Sequence, residues 1–236
     1  MDLETMTAVV DADTGEIPAV VSGVDDKDIL EQVPPDSGLE GHALTIEQVR
    51  QGYESLKRSE LGKAFARKYG SLSIDEIVSA NLGDNVVAAT TPETTVKRII
   101  ANSDKLEPYV RELAYKYELG EDKALWLIIL HEISHIYAQG RKHRKKGQLY
   151  VEMHNELVLA QLLDNMAYGA AKNKKIKDAQ DYQKMSLIAT DRLVEFYTSY
   201  LQHNGVGVTH EQVYKQLTSK GIQNLNLDRM LATYYN

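Results

Sequence analysis

Cysteine is absent from this chain of 236 residues, and several other residue types are scarce. The sequence contains two phenylalanines, one tryptophan and five prolines. Without cysteine the chain can form no disulfide, no thiolate metal site and no cysteine nucleophile. Any metal ion that the protein binds must therefore be held by histidine and carboxylate side chains.

The sequence contains no long apolar run, and its first residues do not have the pattern of a signal peptide. It begins Met-Asp-Leu-Glu, without the basic start and apolar centre of a signal peptide. No apolar stretch approaches the length of roughly 20 residues that a membrane-spanning helix needs. We therefore expect no membrane partner, and a protein that is cytoplasmic or is packaged in a virion assembled there.

Negative charge is concentrated near the N-terminus. The whole chain has 34 acidic and 27 basic residues, which gives a net charge of −7. Residues 1–40 carry eleven acidic residues and one lysine, so the remaining residues have a small positive net charge. We predict an acidic, flexible arm over residues 1–44 and one helical domain over residues 45–236. The arm is expected to be a solubilising tail, or to dock on a partner or on the chain's own basic loops.

Helix signals dominate the sequence after the arm. Thr45 and Gln48 have the spacing of a capping box, and Ser59 and Gly70 bracket a second helical segment. Residues 86–90 have the composition of a strand. The predicted fold class is mainly α (α+β), with a small sheet. Helices are predicted over residues 45–57, 60–69, 73–83, 91–117 with a break near 103, 124–139, 150–168, 179–202, 209–217 and 227–234.

The pattern with the clearest chemical meaning lies in residues 124–139. An apolar run of helix-forming residues leads into His131, Glu132 and His135 without an intervening glycine or proline. Positions four apart share one face of a helix, so the two imidazoles can bind one metal ion. Glu132 is adjacent, where its carboxylate can take a proton from a metal-bound water. Ionisable groups in a buried helix are costly unless paired or ligated, which favours a metal site over satisfied core histidines.

The segment His131-Glu132-Ile133-Ser134-His135 is an H-E-x-x-H motif and resembles that of the zincin metallopeptidases. The resemblance implies a small zincin-like domain, a bound zinc ion and hydrolysis of a peptide or protein substrate. In this role His131 and His135 are zinc ligands and Glu132 is the general base. The resemblance also implies an edge strand that pairs with extended substrate, for which residues 86–90 are the candidate.

A second predicted helix contains the candidates for the third ligand. Glu152 and Glu156 lie four positions apart and share a face with Leu159 and Leu163. The helix pair resembles that of the gluzincins and of the ImmA/IrrE-type phage and bacterial metallopeptidases, in which a glutamate on a downstream helix completes the site. The resemblance implies Glu156 as the third ligand, with Glu152 as the alternative. Ala160 stands where thermolysin-like members have an aspartate, a departure that fits Glu152 as ligand with Glu156 behind it.

Other histidines and tyrosines are weaker candidates for the site. His143 follows a glycine as the third ligand of the metzincins does, but it lies two residues too far along the chain. The tetrahedral intermediate of peptide hydrolysis needs a hydrogen-bond donor besides the metal. Tyr168 and His210 are the leading candidates for this donor, and Tyr182 and His203 are also available.

Two rival functions stay open at this point. The first is a zincin-like binding or assembly component of phage origin with little or no activity, which the missing aspartate suggests. The second is a regulatory protease linked to DNA, because residues 141–146 and 172–177 are cationic runs. Solvated loops explain these runs more simply, so nucleic acid is not the favoured partner.

Overall fold

A computed structural model describes residues 44–83, 86–90, 96–137 and 147–232. The predicted acidic arm, apart from its last residue, and the first cationic run lie outside these ranges. The prediction of a mainly helical α+β fold with a small sheet is confirmed. The described helices are α1 (Ile46–Arg58), α2 (Glu60–Tyr69), α3 (Leu106–Lys116), α4 (Glu121–Tyr137), α5 (Gln148–Lys172), α6 (Ile176–His203), α7 (His210–Lys220) and α8 (Leu227–Ala232). The strands are β1 (Glu76–Ala80), β2 (Ala88–Thr90) and β3 (Arg98–Asn102).

Local sequence explains where the first two helices begin and end. Thr45 caps α1 through a capping box, in which its hydroxyl accepts from the Gln48 backbone N–H and the Gln48 side chain accepts from the Thr45 backbone N–H. Ser59 caps α2, and Gly70 ends it with a φ of +92°, in the left-handed region that favours glycine. These predicted boundaries are confirmed.

The three strands form one sheet in the order β1-β3-β2. β1 runs parallel to β3 with Ile77 opposite Ile99, and β2 runs antiparallel to β3 with Ala89 opposite Ile100. The predicted strand at residues 86–90 is confirmed as β2. The prediction of helices over the segments that form β1 and β3 is wrong.

Pairing between distant residues explains the two strands that were predicted as helix. Ser73 and Glu76 have capping-box spacing, but the Glu76 carboxylate forms an ion pair with Arg98 of β3 at 2.6 Å. The Asp75 carboxylate accepts a hydrogen bond of 2.7 Å from the backbone N–H of Lys97, next to the same strand. Both segments are rich in β-branched residues, which suit a buried sheet. In apolar runs as short as these, the periodicity of the sequence does not distinguish a strand from a helix.

Helices α4, α5 and α6 form the centre of the molecule. One buried hydrophobic cluster joins α4 to α1, α2, α3, the sheet and the adjoining parts of α5 and α6. A second cluster joins the first turns of α5 and the C-terminal half of α6 to α7 and α8. Residues 124–130 of α4 are all buried. Burial of an aliphatic side chain contributes about 1.5–3 kcal/mol, so this packing holds α4 firmly in the core.

The two longest described helices, α5 and α6, lie side by side. Ser186 Oγ of α6 donates a hydrogen bond of 3.0 Å to the backbone carbonyl oxygen of Ala160 in α5. The second cationic run, residues 172–177, is exposed around the turn between them, as expected for a solvated loop. None of the described helices is both long and apolar enough to cross a membrane.

Candidate metal centre

The H-E-x-x-H motif lies in the last turns of α4. Residues 124–130 before it are all buried, so the helix is anchored in the core up to the first histidine. The side chains of His131 and His135 are 13% and 16% exposed. Their ring centroids lie 4.9 Å apart, one helical turn from each other. The two imidazoles therefore share one location, which has a narrow opening to solvent.

Helix α5 brings two carboxylates to these imidazoles. It returns antiparallel to α4, so that Glu152 contacts His135 and Glu156 contacts His131. The two histidines are four residues apart, and so are the two glutamates. The four side chains therefore form two layers between α4 and α5, one helical turn apart. The Glu152 side chain is 12% exposed, whereas that of Glu156 is fully buried.

Three donor atoms form a small triangle between α4 and α5. Nε2 of His131 lies 3.1 Å from Nε2 of His135 and 3.3 Å from Oε2 of Glu152. The third side, from Nε2 of His135 to Oε2 of Glu152, is 3.4 Å long. A tetrahedral zinc ion with bonds of about 2.0–2.1 Å requires its ligand atoms to lie about 3.3–3.4 Å apart. The triangle therefore has the size of one face of a zinc tetrahedron, and these residues form a potential metal-ligand cluster.

Hydrogen bonds do not satisfy all of these buried atoms. Oε2 of Glu152 makes no hydrogen bond to any described residue, although two imidazole nitrogens lie close to it. Nδ1 of His131 lies 2.9 Å from Oε1 of Glu156, in an ion-pair contact that lacks hydrogen-bond geometry. A buried carboxylate oxygen without a hydrogen bond is costly, and a cation inside the triangle would satisfy it. Two imidazoles and one carboxylate are a common ligand set of catalytic zinc sites.

The two glutamates lie on different sides of the His131 ring. Glu152 lies on the Nε2 side, where the two histidines converge, whereas Glu156 contacts Nδ1 on the opposite edge of the ring. The sequence favours Glu156 as the third ligand, with Glu152 as the alternative. In the structure Glu152, rather than Glu156, lies close to Nε2 of both histidines, so the geometry favours the alternative ligand. Glu156 is instead placed to orient His131.

Burial and the two carboxylates have opposing effects on the imidazole of His131. Burial alone would lower the pKa, but the charge of Glu156 and the contacts with Glu152 outweigh it and raise the pKa of His131 to about 10. Burial also opposes the ionisation of Glu152, yet His135 and His131 hold the pKa of Glu152 well below its usual range. These groups therefore favour an added positive charge between them. Either a proton or a bound metal ion can supply that charge.

Glu132 follows the first histidine and is only 6% exposed. Burial raises the pKa of its carboxyl group, and the positive character of His131 and His135 opposes part of that rise. A raised pKa suits a group that must accept a proton and later return it. Its role as general base stays a prediction, and its position beside the triangle is compatible with that role.

The structure adds two residues that the sequence analysis missed. Nη1 of Arg192, on α6, lies 3.4 Å from Oε1 of Glu156, and Nε of the same guanidinium donates to the hydroxyl of Tyr109, on α3, at 3.1 Å. One signal could have indicated Arg192. It follows Ala189 by three positions and directly precedes Leu193, and both of these residues are fully buried. A charged residue is unusual beside such apolar positions of a helix.

The structure does not bring the other predicted residues to the triangle. Tyr168 is 73% exposed and lies 16 positions beyond Glu152 on α5, which is about 24 Å along the helix axis. His210 is the exposed first residue of α7, which packs against α6. Tyr168 is therefore not placed to act as the predicted transition-state donor, and none of the described contacts joins His210 to the triangle. Tyr182 is packed in the hydrophobic core, His203 is exposed at the end of α6, and His143 lies outside the described residues.

Comparisons with known proteins do not identify the chain. A scan against protein-family models found no match, and neither did searches of curated proteins and of solved structures. The function therefore has to be inferred from the chemistry and geometry of the site itself.

Proposed function

We propose that the protein is a zinc-dependent metallopeptidase in which His131, His135 and Glu152 bind the zinc ion and Glu132 is the general base. The triangle of donor atoms carries the proposal, since its sides of 3.1, 3.3 and 3.4 Å fit a tetrahedral ion. The three side chains keep 12–16% of their surface exposed, so solvent and substrate can approach the remaining coordination position.

The charges around the triangle also favour a divalent cation. Glu132, Glu152 and Glu156 are buried near the two imidazoles, and Arg192 contributes one fixed positive charge in contact with Glu156. Buried charges without compensation are costly, so a bound cation would offset the excess of negative charge. Calcium and magnesium prefer six or more oxygen ligands, whereas two imidazoles and a carboxylate suit zinc.

The chain's own residues account for the proton transfers of peptide hydrolysis. A bound zinc ion supplies a Lewis acid that polarises the scissile carbonyl group and acidifies a water molecule. Glu132 takes the proton from the attacking water and returns it to the leaving amine. Burial raises the pKa of Glu132, which makes its carboxylate a better proton acceptor than an exposed one. The rigid packing of α4 against the core keeps Glu132 and the two histidines in fixed relative positions.

The sheet offers a place for an extended peptide beside the site. β2 is an edge strand of the described sheet and packs against α4, which carries the motif. A sheet edge can accept a further strand through main-chain hydrogen bonds. A peptide substrate is therefore expected to pair along Ala88–Thr90, which would align its backbone with α4.

The test of this function begins with elemental analysis of the purified full chain. We expect one zinc ion per chain, and its loss in the His131→Ala and Glu152→Ala variants. His203→Ala is the matched control, because His203 is an exposed histidine at the end of α6. Zinc retained in both ligand variants, or a wild-type protein that fails to compete with a chelator for zinc, would refute the metal centre.

The second part of the same test is a cleavage assay with a mixed peptide library. The zinc-loaded wild type is expected to cleave peptides, whereas Glu132→Gln should bind the same amount of zinc and lose turnover. The expected loss is about 10²–10⁴-fold, the usual contribution of a positioned general base. If both proteins bind zinc and neither cleaves any peptide, the peptidase proposal fails. The alternative is then a binding protein that holds zinc without catalytic activity.

A further inference from the structure

Glu156 lies at the centre of a connected set of buried polar groups behind the triangle. Its Oε1 atom lies 2.9 Å from Nδ1 of His131 and 3.4 Å from Nη1 of Arg192. The guanidinium of Arg192 also donates to the hydroxyl of Tyr109, and its central carbon lies 5.3 Å from the centroid of that ring. We call Tyr109, Glu156 and Arg192 the clamp. Its members come from α3, α5 and α6, and they contact a histidine of α4.

We propose that Arg192, held by Tyr109, is a positioning residue that fixes Glu156 against His131 and thereby sets the zinc affinity of the site. This inference depends on the proposed metal centre, because zinc affinity is the property that the clamp controls. Among the described residues Arg192 contacts Glu156 and Tyr109 rather than the triangle, so its contact with His131 runs through Glu156.

The two nitrogens of His131 have different roles. A neutral imidazole carries hydrogen on one nitrogen and a lone pair on the other, and a neighbouring carboxylate favours the hydrogen on the nitrogen that it faces. The negative charge of Glu156 lies 2.9 Å from Nδ1, in an ion-pair contact without hydrogen-bond geometry, and it favours hydrogen on that nitrogen. The lone pair is then on Nε2, which is the atom that belongs to the triangle. Without a carboxylate at this position, a larger share of the neutral imidazole would carry hydrogen on Nε2 and be unable to bind metal.

Glu156 is held in place through one of its two carboxylate oxygens. Its other oxygen, Oε2, is buried and has no hydrogen-bond partner among the described residues. The carboxylate is therefore held through Oε1, between His131 and Arg192. If the guanidinium were removed, the carboxylate would lose its contact with Arg192, and other side-chain orientations would become accessible.

Position 192 needs arginine rather than lysine. The guanidinium is planar and its nitrogens point in fixed directions, whereas a lysine ammonium is a single point charge. Nη1 contacts Glu156, while Nε and Nη2 donate to Tyr109, so different edges of one plane serve the two partners. A lysine could keep the charge but could not keep both contacts in these directions.

The experiment measures the zinc dissociation constant of the full chain by competition with a chelator. We expect Arg192→Met to weaken zinc binding about 10–100-fold, the usual effect of removing a partner that orients a metal ligand, and Arg192→Lys to recover part of the loss. Arg98→Met is the matched control, because Arg98 forms an ion pair with Glu76 within the sheet and no described contact joins it to the triangle or to the clamp. Its zinc affinity should equal that of the wild type.

A purely structural role for the clamp predicts a different result. Arg192→Met leaves Glu156 buried and unpaired, and this variant could fail to fold for that reason alone. The double variant Glu156→Gln/Arg192→Met removes both charges together, and Tyr109→Phe removes only the hydroxyl. If the folded double variant and Tyr109→Phe bind zinc with wild-type affinity, the clamp does not position His131. A wild type that binds no zinc would instead overturn the metal centre itself, so the two failures are distinguishable.

Discussion

Glu152 and Glu156 are the same residue type, four positions apart on α5, and both contact His131. They meet it from different sides because each occupies a different layer of the α4–α5 contact. Glu152 faces Nε2, the nitrogen that also approaches His135, and Glu156 faces Nδ1. A ligand binds the metal directly, whereas a carboxylate at the far nitrogen changes only the orientation and basicity of the imidazole. The two positions should therefore differ in how strongly they affect metal binding.

Substitution of each glutamate by glutamine tests this difference. Glu152→Gln replaces an anionic ligand with a neutral amide and should weaken zinc binding by a larger factor than Glu156→Gln. The latter is expected to weaken it about 10–100-fold. Chelator competition gives both affinities, with circular dichroism as the check on folding. The opposite order would assign the third coordination position to Glu156, as the sequence favours.

Local spacing explains which of these residues could be predicted. His131, Glu132 and His135 belong to one helix, and positions four apart share a face whatever the rest of the fold does. The choice between the two glutamates depends on the register of α4 against α5, which packing sets and local sequence does not encode. Arg192 was harder still to predict, because its contact with Glu156 joins positions 36 residues apart.

The same distinction between local and distant interactions applies to whole elements. The caps of α1 and α2 use side chains within three positions of the backbone groups that they bind, and both helices were predicted correctly. β1 and β3 pair residues 22 positions apart, as the ion pair between Glu76 and Arg98 shows. Their hydrogen bonds exist only after the chain between them has folded back, so local pattern alone indicated helix.

Two glycines inside helices are expected to respond in opposite ways to replacement by alanine. At Gly62 in α2, an added Cβ would lie 2.1 Å from the backbone oxygen of Leu56, so Gly62→Ala should destabilise the protein by about 1–3 kcal/mol. At Gly169 in α5 an added Cβ meets nothing within 4 Å, and Gly169→Ala should stabilise it by about 0.4–1 kcal/mol. Urea unfolding midpoints measure both changes. Equal effects would contradict the close packing of α2 against the end of α1.

The proposed metal centre lies between two hydrophobic clusters of the described residues. His131 and His135 belong to α4, whose buried residues lie in the cluster that includes the sheet and α1. Glu152 lies between Tyr150 and Met153, which belong to the second cluster with α7 and α8. A zinc ion bound by all three ligands would therefore link the clusters directly, in addition to the packing of α5 on α6.

This link predicts that zinc stabilises the entire fold rather than the site alone. At free zinc 1,000 times the dissociation constant, binding stabilises a folded protein by about 4.1 kcal/mol. For a domain of this size that corresponds to an increase in Tm of about 8–16 °C. Calorimetry of chelator-treated and zinc-loaded protein should show one transition that moves as a unit. Glu132→Gln should show the same increase and His135→Ala none, because only the second variant loses a ligand. The opposite result would be two transitions, of which zinc shifts only one. The two clusters would then unfold independently, and the ion would not couple them.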